Sequence, residues 1–135
     1  MHLEIRTHSR SELVDVTAQV SEAAKASGVS EGIAVVFCPH TTAGVIINEH
    51  ADPDVAEDIL GWLGRTVPRS AEWRHTVEGN ADAHVKATLE GSSVTVPVSD
   101  GRLILGTWQG VFFCEFDGPR RRQLFVEFAP IHGHQ

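Results

Sequence analysis

Cysteine, long apolar segments and positive charge are all scarce in this chain of 135 residues. Its two cysteines, Cys38 and Cys114, each lie in an apolar run and have neither metal-ligand nor disulfide-framework spacing, so we expect two buried, reduced thiols. No run approaches the roughly 18 apolar residues of a membrane span. The stretch from Met1 to Arg10 has charges and histidines where a signal peptide would be apolar. These absences predict a cytoplasmic protein that does not bind a membrane.

The scarcity of positive charge bears on possible partners. The chain has 11 Lys and Arg against 18 Asp and Glu, which gives a formal net charge of −7 and a pI near 5.5. Nonspecific nucleic-acid binding needs clustered Lys and Arg, so we expect no nucleic-acid partner. The exception is the run Arg120, Arg121 and Arg122, which suits a small anion better than a duplex. At this length we expect one domain, residues 1–135.

Histidine is the residue type that stands out among those present. The chain has eight, of which four lie near its ends (His2, His8, His132 and His134) and are given little weight. The other four are internal: His40, His50, His75 and His84. The functional question therefore rests on the internal histidines.

Apolar periodicity and turn residues predict an α+β fold with an antiparallel β-sandwich core and about three flanking helices. Two Asp-Gly turns, at residues 100–101 and 117–118, indicate antiparallel hairpins, and few connections are long enough for repeated βαβ crossovers. Residues 67–79 show no period, and such loops are usually functional or disordered. Strands are predicted near residues 3–5, 12–16, 33–38, 43–48, 93–98, 103–116 and 124–128, and helices from about 16 to 28, from 52 to about 64 and from 80 to 89.

Three segments together resemble the YjbQ family, also called the secondary thiamine-phosphate synthase family. They are PHTTAGVIINEH from Pro39, WRHTVEGNADAHVKATLEG from Trp73, and VPVSDGRLILGTWQGVFFCEFDGPRRR from Val96 to Arg122. The resemblance covers nearly the whole chain. It implies a YjbQ-like fold, a homotrimer, a metal and anion site near the HTT, NE and AH segments, and a weak thiamine-phosphate synthase activity.

His40, His75 and His84 are the candidate metal ligands. Neutral imidazole binds zinc, nickel or iron well, and three such ligands with one open position form a catalytic site. Their spacing alone favours ordinary hydrogen-bonding histidines, whereas the resemblance favours a divalent metal ion, with zinc first. His84 and Glu49 are the candidate catalytic residues: Glu49 could be a metal ligand, a partner of one or a general base, oriented by Asn48.

A phosphate site is predicted from four further residues. Asn80 begins a helix whose first-turn N–H groups could bind an anion, although it could simply cap that helix. Arg120 follows a rigid turn and could bind phosphate, pair with Glu115 or form an intersubunit salt bridge. Thr107 and Gln109 of the GTWQ segment should alternate onto one strand face, as ligand contacts or as a subunit contact, with Trp108 packed on the other.

Three functions remain open from the sequence. The first is a metal-binding enzyme acting on a small phosphorylated metabolite, with the transferase activity of a thiamine-phosphate synthase. The second is a metal-dependent hydrolase of a phosphate ester. The third is a non-catalytic trimeric module that binds a metabolite or metal.

Overall fold

The computed structural model describes residues 1–131, which form eight strands and three helices. His132 and His134 lie outside the described residues. The strands are β1 (His2–Arg6), β2 (Glu12–Asp15), β3 (Gly32–Phe37), β4 (Ala43–Glu49), β5 (Ser93–Ser99), β6 (Arg102–Leu103), β7 (Gln109–Glu115) and β8 (Arg121–Pro130). The helices are α1 (Thr17–Ser27), α2 (Pro53–Thr66) and α3 (Ala81–Glu90).

Two antiparallel sheets contain these strands. One has five strands in the order β1-β8-β3-β5-β6, and the other has three in the order β2-β7-β4. Every strand pairing is antiparallel. The α+β prediction, with an antiparallel sandwich core and three helices, is therefore confirmed.

The main core lies between the sheets and under α1. Alternation along β8 turns Leu124 and Val126 inward, and they meet Val45 and Phe113 of the smaller sheet in one buried cluster. Neighbouring residues of the smaller sheet face the opposite way. Cys114 thus joins a second cluster with residues of α2 and α3, so this sheet is covered on both faces. Both cysteines are buried and free, as predicted.

Local signals in the sequence account for the ends of the first two helices. The Asp15 carboxylate accepts the backbone N–H of Thr17 at 3.0 Å at the start of α1, and Gly28 ends that helix with a φ of 73°. Asp52 accepts the N–H of Asp54 at 2.9 Å, with Pro53 as the first residue of α2. Among residues 1–131 no helix is both long and apolar enough to cross a membrane.

The prediction of one strand over residues 103–116 is wrong, because the chain turns between β6 and β7. The Gln109 backbone N–H donates to the Gly106 carbonyl at 3.1 Å, and the Gly106 N–H donates to the Gln109 Oε1 at 2.8 Å. Thr107 and Gln109 therefore do not alternate along one strand. Trp108 is 63% exposed rather than packed. Apolar content alone does not reveal this turn, because the turn is closed by a hydrogen bond from the Gly106 backbone N–H to the side chain of Gln109.

Candidate ligand-binding cleft

Three connections meet at one end of the sandwich and form the candidate site. They are the β3–β4 connection, the start of α3 and the β7–β8 turn. Two cavities of about 310 and 370 Å³ adjoin there and share His40, Thr41 and His84. We call them together the cleft. The cavity of 310 Å³ is also lined by Asn80, Asp117, Arg120 and Arg122, and the cavity of 370 Å³ is also lined by Thr88 and Ser92.

The ring of His40 is held in one tautomer by the backbone. The Gln123 N–H donates to its Nε2 at 2.9 Å. A backbone N–H can only donate, so Nε2 carries a lone pair and the proton lies on Nδ1. Burial, followed by the nearby Arg122 cation, lowers the pKa of His40 below its ordinary value. His40 is thus a neutral imidazole that offers an N–H donor, and its Nε2 is not available to a metal.

His75, Asn80, Asp117 and Arg120 form a chain of hydrogen bonds beside the cleft. Asn80 Nδ2 donates to Asp117 Oδ2 at 2.8 Å, and Arg120 Nη2 donates to the same oxygen at 2.9 Å. Because a carboxylate only accepts, the Asn80 amide is oriented with Oδ1 toward His75. His75 Nε2 lies 3.1 Å from that oxygen and must therefore carry a proton. This second imidazole also has its Nε2 engaged.

These hydrogen bonds correct two details of the prediction from sequence. Asn80 makes no side-chain cap of α3, since its amide links His75 to Asp117. Arg120 pairs with Asp117 within the chain, not with Glu115, whose partner is Arg122.

The three predicted metal ligands come near one another without forming a metal site. The rings of His75 and His84 pack edge to face with centroids 5.2 Å apart, and both line a further cavity of about 360 Å³ with Trp73. His40 and His84 both line the cleft. Within residues 1–131, no group of three His, Cys, Asp or Glu is placed to hold a metal ion. For His40 the reason is visible, because the Gln123 N–H occupies the Nε2 lone pair and the proton lies on Nδ1.

Arg122 was predicted only as part of an arginine run that suits a small anion, and not as a site residue. It is 3% exposed on the inward face of β8 and bonds the fully buried Glu115 through Nε and Nη2. Nη2 also donates to Thr42 Oγ1 at 2.9 Å. Burial alone would raise the pKa of Glu115, but the hydrogen bonds from Arg122, Asp117 and Thr7 outweigh it and lower that pKa. A signal was present: Arg122 continues the inward alternation of Leu124 and Val126.

One edge of the buried guanidinium faces the cleft. Arg122 lines the 310 Å³ cavity, and its hydrogen bonds within residues 1–131 use Nε and Nη2 but not Nη1. No buried side-chain nitrogen of that part of the chain lacks a partner. Because Arg122 lines the cleft, Nη1 is the guanidinium nitrogen that remains to donate to a ligand there.

Glu49, Thr107 and Gln109 lie at the other end of β4. Glu49 pairs with Gln109 across β4 and β7, and its carboxylate accepts the Asp52 N–H at 2.9 Å. Six residues separate it from Ala43 beside the cleft, or about 20 Å along a strand. Within one chain these three residues do not line the cleft. Their predicted roles therefore do not combine with those of His40 and His84 in a single-chain site.

Fold and site together define an α+β protein of two antiparallel sheets with a polar cleft at one end. Comparison with known proteins adds the family. The sequence model described as UPF0047 protein YjbQ-like matches residues 1–130. The chain belongs to this family, as the resemblance indicated.

Relatives span nearly the full length. A UPF0047 protein of Methanocaldococcus jannaschii is 51% identical over 92% of this chain and 89% of its own. The UPF0047 protein YugU of Bacillus subtilis is 47% identical over 93% and 95%. A crystal structure of an uncharacterized YjbQ/UPF0047 protein of Clostridium acetobutylicum superposes with a TM-score of 0.93 at 50% identity, covering 96% and 99%. A YbjQ-like protein of unknown function from Sulfolobus solfataricus also gives 0.93, at 38% identity, covering 97% and 96%.

These findings overturn the predicted function. The relatives are named only as UPF0047 or as proteins of unknown function, and none is named as a thiamine-phosphate synthase. The described residues also provide no three-ligand metal site. The prediction of a metal-binding enzyme with thiamine-phosphate synthase activity is therefore wrong, and the metal-dependent hydrolase loses its basis with it. The choice of zinc as the ion stays an untested prediction.

Proposed function

We propose that the cleft binds a small molecule through a phosphate group, using side-chain donors of the chain itself. The observation that carries the proposal is the pairing of two fixed donors in one cavity. These are the guanidinium of the buried Arg122, whose Nη1 makes no hydrogen bond within residues 1–131, and the imidazole of His40, whose proton lies on Nδ1. Guanidinium and imidazole N–H groups suit the oxygens of a phosphate.

The donors are held in place before a ligand arrives. Arg122 is locked by Glu115 and Thr42, His40 by the backbone of Gln123, and Arg120 by Asp117. Such preorganisation reduces the side-chain entropy lost on binding. Both arginines already have carboxylate partners, so directed hydrogen bonds rather than net positive charge provide the affinity. We therefore expect binding to depend weakly on salt.

The size of the cleft sets the kind of ligand. Cavities of about 310 and 370 Å³ lie in the range of small-molecule sites, roughly 300 to 1,000 Å³. A phosphate beside His40 and Arg122 leaves the second cavity for the rest of the molecule. That cavity offers the hydroxyls of Thr88 and Ser92, which suit a polar body.

Calorimetry of the chelator-treated protein with inorganic phosphate and pyrophosphate tests the proposal. Arg120→Gln removes a cleft guanidinium, and Arg121→Gln is its matched control, because the neighbouring Arg121 is 70% exposed and pairs only loosely with Glu4. We expect Arg120→Gln to weaken binding about tenfold, or about 1.4 kcal/mol, and Arg121→Gln to leave it unchanged. No binding of either anion, or equal losses in both variants, would refute the proposal.

A second substitution separates a hydrogen bond from charge. Thr41→Val keeps the shape of an exposed side chain that lines both cavities but removes its hydroxyl. We expect a several-fold loss of phosphate affinity without a change in thermal stability.

We also propose the cytoplasm as the location of the protein. Small phosphorylated metabolites occur there, and the two buried cysteines remain free thiols. Fractionation of cells that produce the tagged chain tests this location.

A further inference from the structure

A fourth cavity, of about 390 Å³, lies away from the cleft, between α2 and the end of α3. We call it the α2 groove. It is lined by Val55, Ile59, Trp62, Asp58, Glu90 and Asn48. None of these residues lines the cavities around His84.

One wall of the α2 groove is an apolar helix face. Val55, Ile59 and Trp62 recur at helical spacing, so they lie on one side of α2. Trp62 remains 54% exposed. A ligand that fills this wall therefore needs an apolar body that can lie against an indole ring.

Glu90 differs from the other carboxylates that the described residues bury in whole or in part. Each of the others accepts at least one hydrogen bond: Glu12, Glu49, Asp82, Glu115 and Asp117. Glu90, at the end of α3, has neither a hydrogen bond nor an ion pair within residues 1–131. Its burial raises the pKa of the carboxyl group. A half-buried carboxylate without a partner loses part of its hydration and gains no hydrogen bond in exchange, and a bound cation would offset this cost in free energy.

We infer that the α2 groove binds a small organic cation, namely an ammonium or guanidinium group on an apolar body. Glu90 would pair with the positive charge and Asp58, exposed one turn before Trp62, would add a second carboxylate. The exposed face of Trp62 attracts cations through its ring electrons. An anionic ligand would be repelled by the two carboxylates, and a neutral one would leave Glu90 buried and unpaired.

Binding of benzylammonium, compared with the uncharged benzyl alcohol, tests the inference on the full chain by calorimetry at pH 7.5. We expect benzylammonium to bind at least tenfold more tightly than benzyl alcohol. Glu90→Gln should abolish this preference. Glu57→Gln, the matched control, removes an exposed carboxylate of α2 that does not line the groove and should preserve it. Trp62→Leu keeps an apolar wall but removes the indole ring, and should lower the affinity for benzylammonium several-fold.

Other results would overturn the inference. Equal affinities for the two probes, no binding of benzylammonium, or equal losses in Glu90→Gln and Glu57→Gln would each do so. Sedimentation of the wild type and Trp62→Ala tests the competing occupant, a second copy of the chain. A wild-type oligomer that dissociates in Trp62→Ala would show that the groove is a subunit interface. Wild-type and variant oligomers of equal size would support a groove that is not a subunit interface. The same measurement gives the number of subunits and so tests the predicted homotrimer.

Discussion

The two ends of strand β4 each present a histidine, but they hold it in different ways. At the start of β4, His40 accepts a backbone N–H and faces a cavity beside the buried Arg122. At the far end, His50 Nδ1 lies 2.9 Å from the Asp15 carboxylate at the protein surface. The first arrangement leaves the Nδ1 proton of a cavity-lining imidazole without a partner among residues 1–131. The second uses its donor on a partner within the chain.

His50 also contacts the backbone of neighbouring residues, which fixes its side chain further. The His50 N–H donates to the Trp108 carbonyl at 2.9 Å, and its ring lies so close to β7 that a Cβ added at Gly110 would come within 2.4 Å of Nδ1. The side chain of His50 therefore packs closely against β7 at Gly110. Burial alone would raise the pKa of Asp15, but hydrogen bonds from Thr17 and His50 lower it. The comparison shows that one histidine of this fold is bound to a carboxylate of the chain itself, whereas the other lines the cavity for which we propose ligand binding.

The largest expected effect tests whether the cleft end depends on its buried ion pair. Arg122→Gln would leave Glu115 charged and unpaired in the interior, and should lower the free energy of unfolding by about 3 to 5 kcal/mol. Arg121→Gln, next to it on the exposed face, should change it by less than about 0.5 kcal/mol. Urea unfolding measures both. Similar losses of unfolding free energy in the two variants would show that the ion pair of Arg122 and Glu115 does not stabilise the cleft end of the protein.

An intermediate effect tests the packing of His50 at the far end. Gly110→Ala should destabilise by about 1 to 3 kcal/mol, because the added methyl group meets the ring and Cβ of His50. Gly64→Ala within α2 meets no atom within 4 Å and should be neutral or stabilise by up to about 1 kcal/mol. Thermal unfolding distinguishes the two, and a harmless Gly110→Ala would mean that His50 is not seated on β7.

The smallest expected effect concerns pH at the cleft end. Because the pKa of folded His40 is lowered, the unfolded chain binds a proton at a higher pH than the folded one. Stability from this group is complete above about 6.5, the ordinary value for histidine, and is lost as the pH falls toward the folded pKa. His40→Gln keeps an acceptor for Gln123 and removes the titration. Its unfolding free energy should fall less than that of the wild type between pH 7.5 and 5.5.

His8→Gln serves as the control for losing one histidine, since His8 is exposed at the surface. If His40→Gln and the wild type lose the same stability over this pH range, the neutral tautomer assigned to His40 is incorrect.

Most of the fold could be predicted from short-range patterns. Alternation, apolar runs and Asp-Gly turns identified strands on both sides of the core, and Asp52 with Pro53 marked the start of α2. The failure came at residues 104–108, where an apolar run hides a turn closed by the Gln109 side chain. Apolar content indicates burial, but it carries no information about where a side chain replaces a ladder hydrogen bond.

The candidate site was predicted only in part. His40, His84, Asn80 and Arg120 do line the cleft. Arg122 was not named as a site residue, because the alternation along β8 can indicate that it turns inward but does not indicate that Glu115 is its partner there. Residues 1–131 contain no group of three side chains placed to hold a metal ion. One reason lies in the tertiary structure, because the N–H that occupies His40 Nε2 comes from Gln123, 83 positions away.

The sequence by itself determined the antiparallel sandwich, the three helices, the buried thiols and the family, because these depend on local periodicity and on motifs read in order. Only the tertiary structure decided which polar residues share a site. Glu49 and His40 are nine positions apart, yet an extended strand carries them to opposite ends of the sheet. His40 and Gln123 are 83 positions apart and share a hydrogen bond. Distances across a sheet depend on strand direction and pairing, which separation along the chain does not encode.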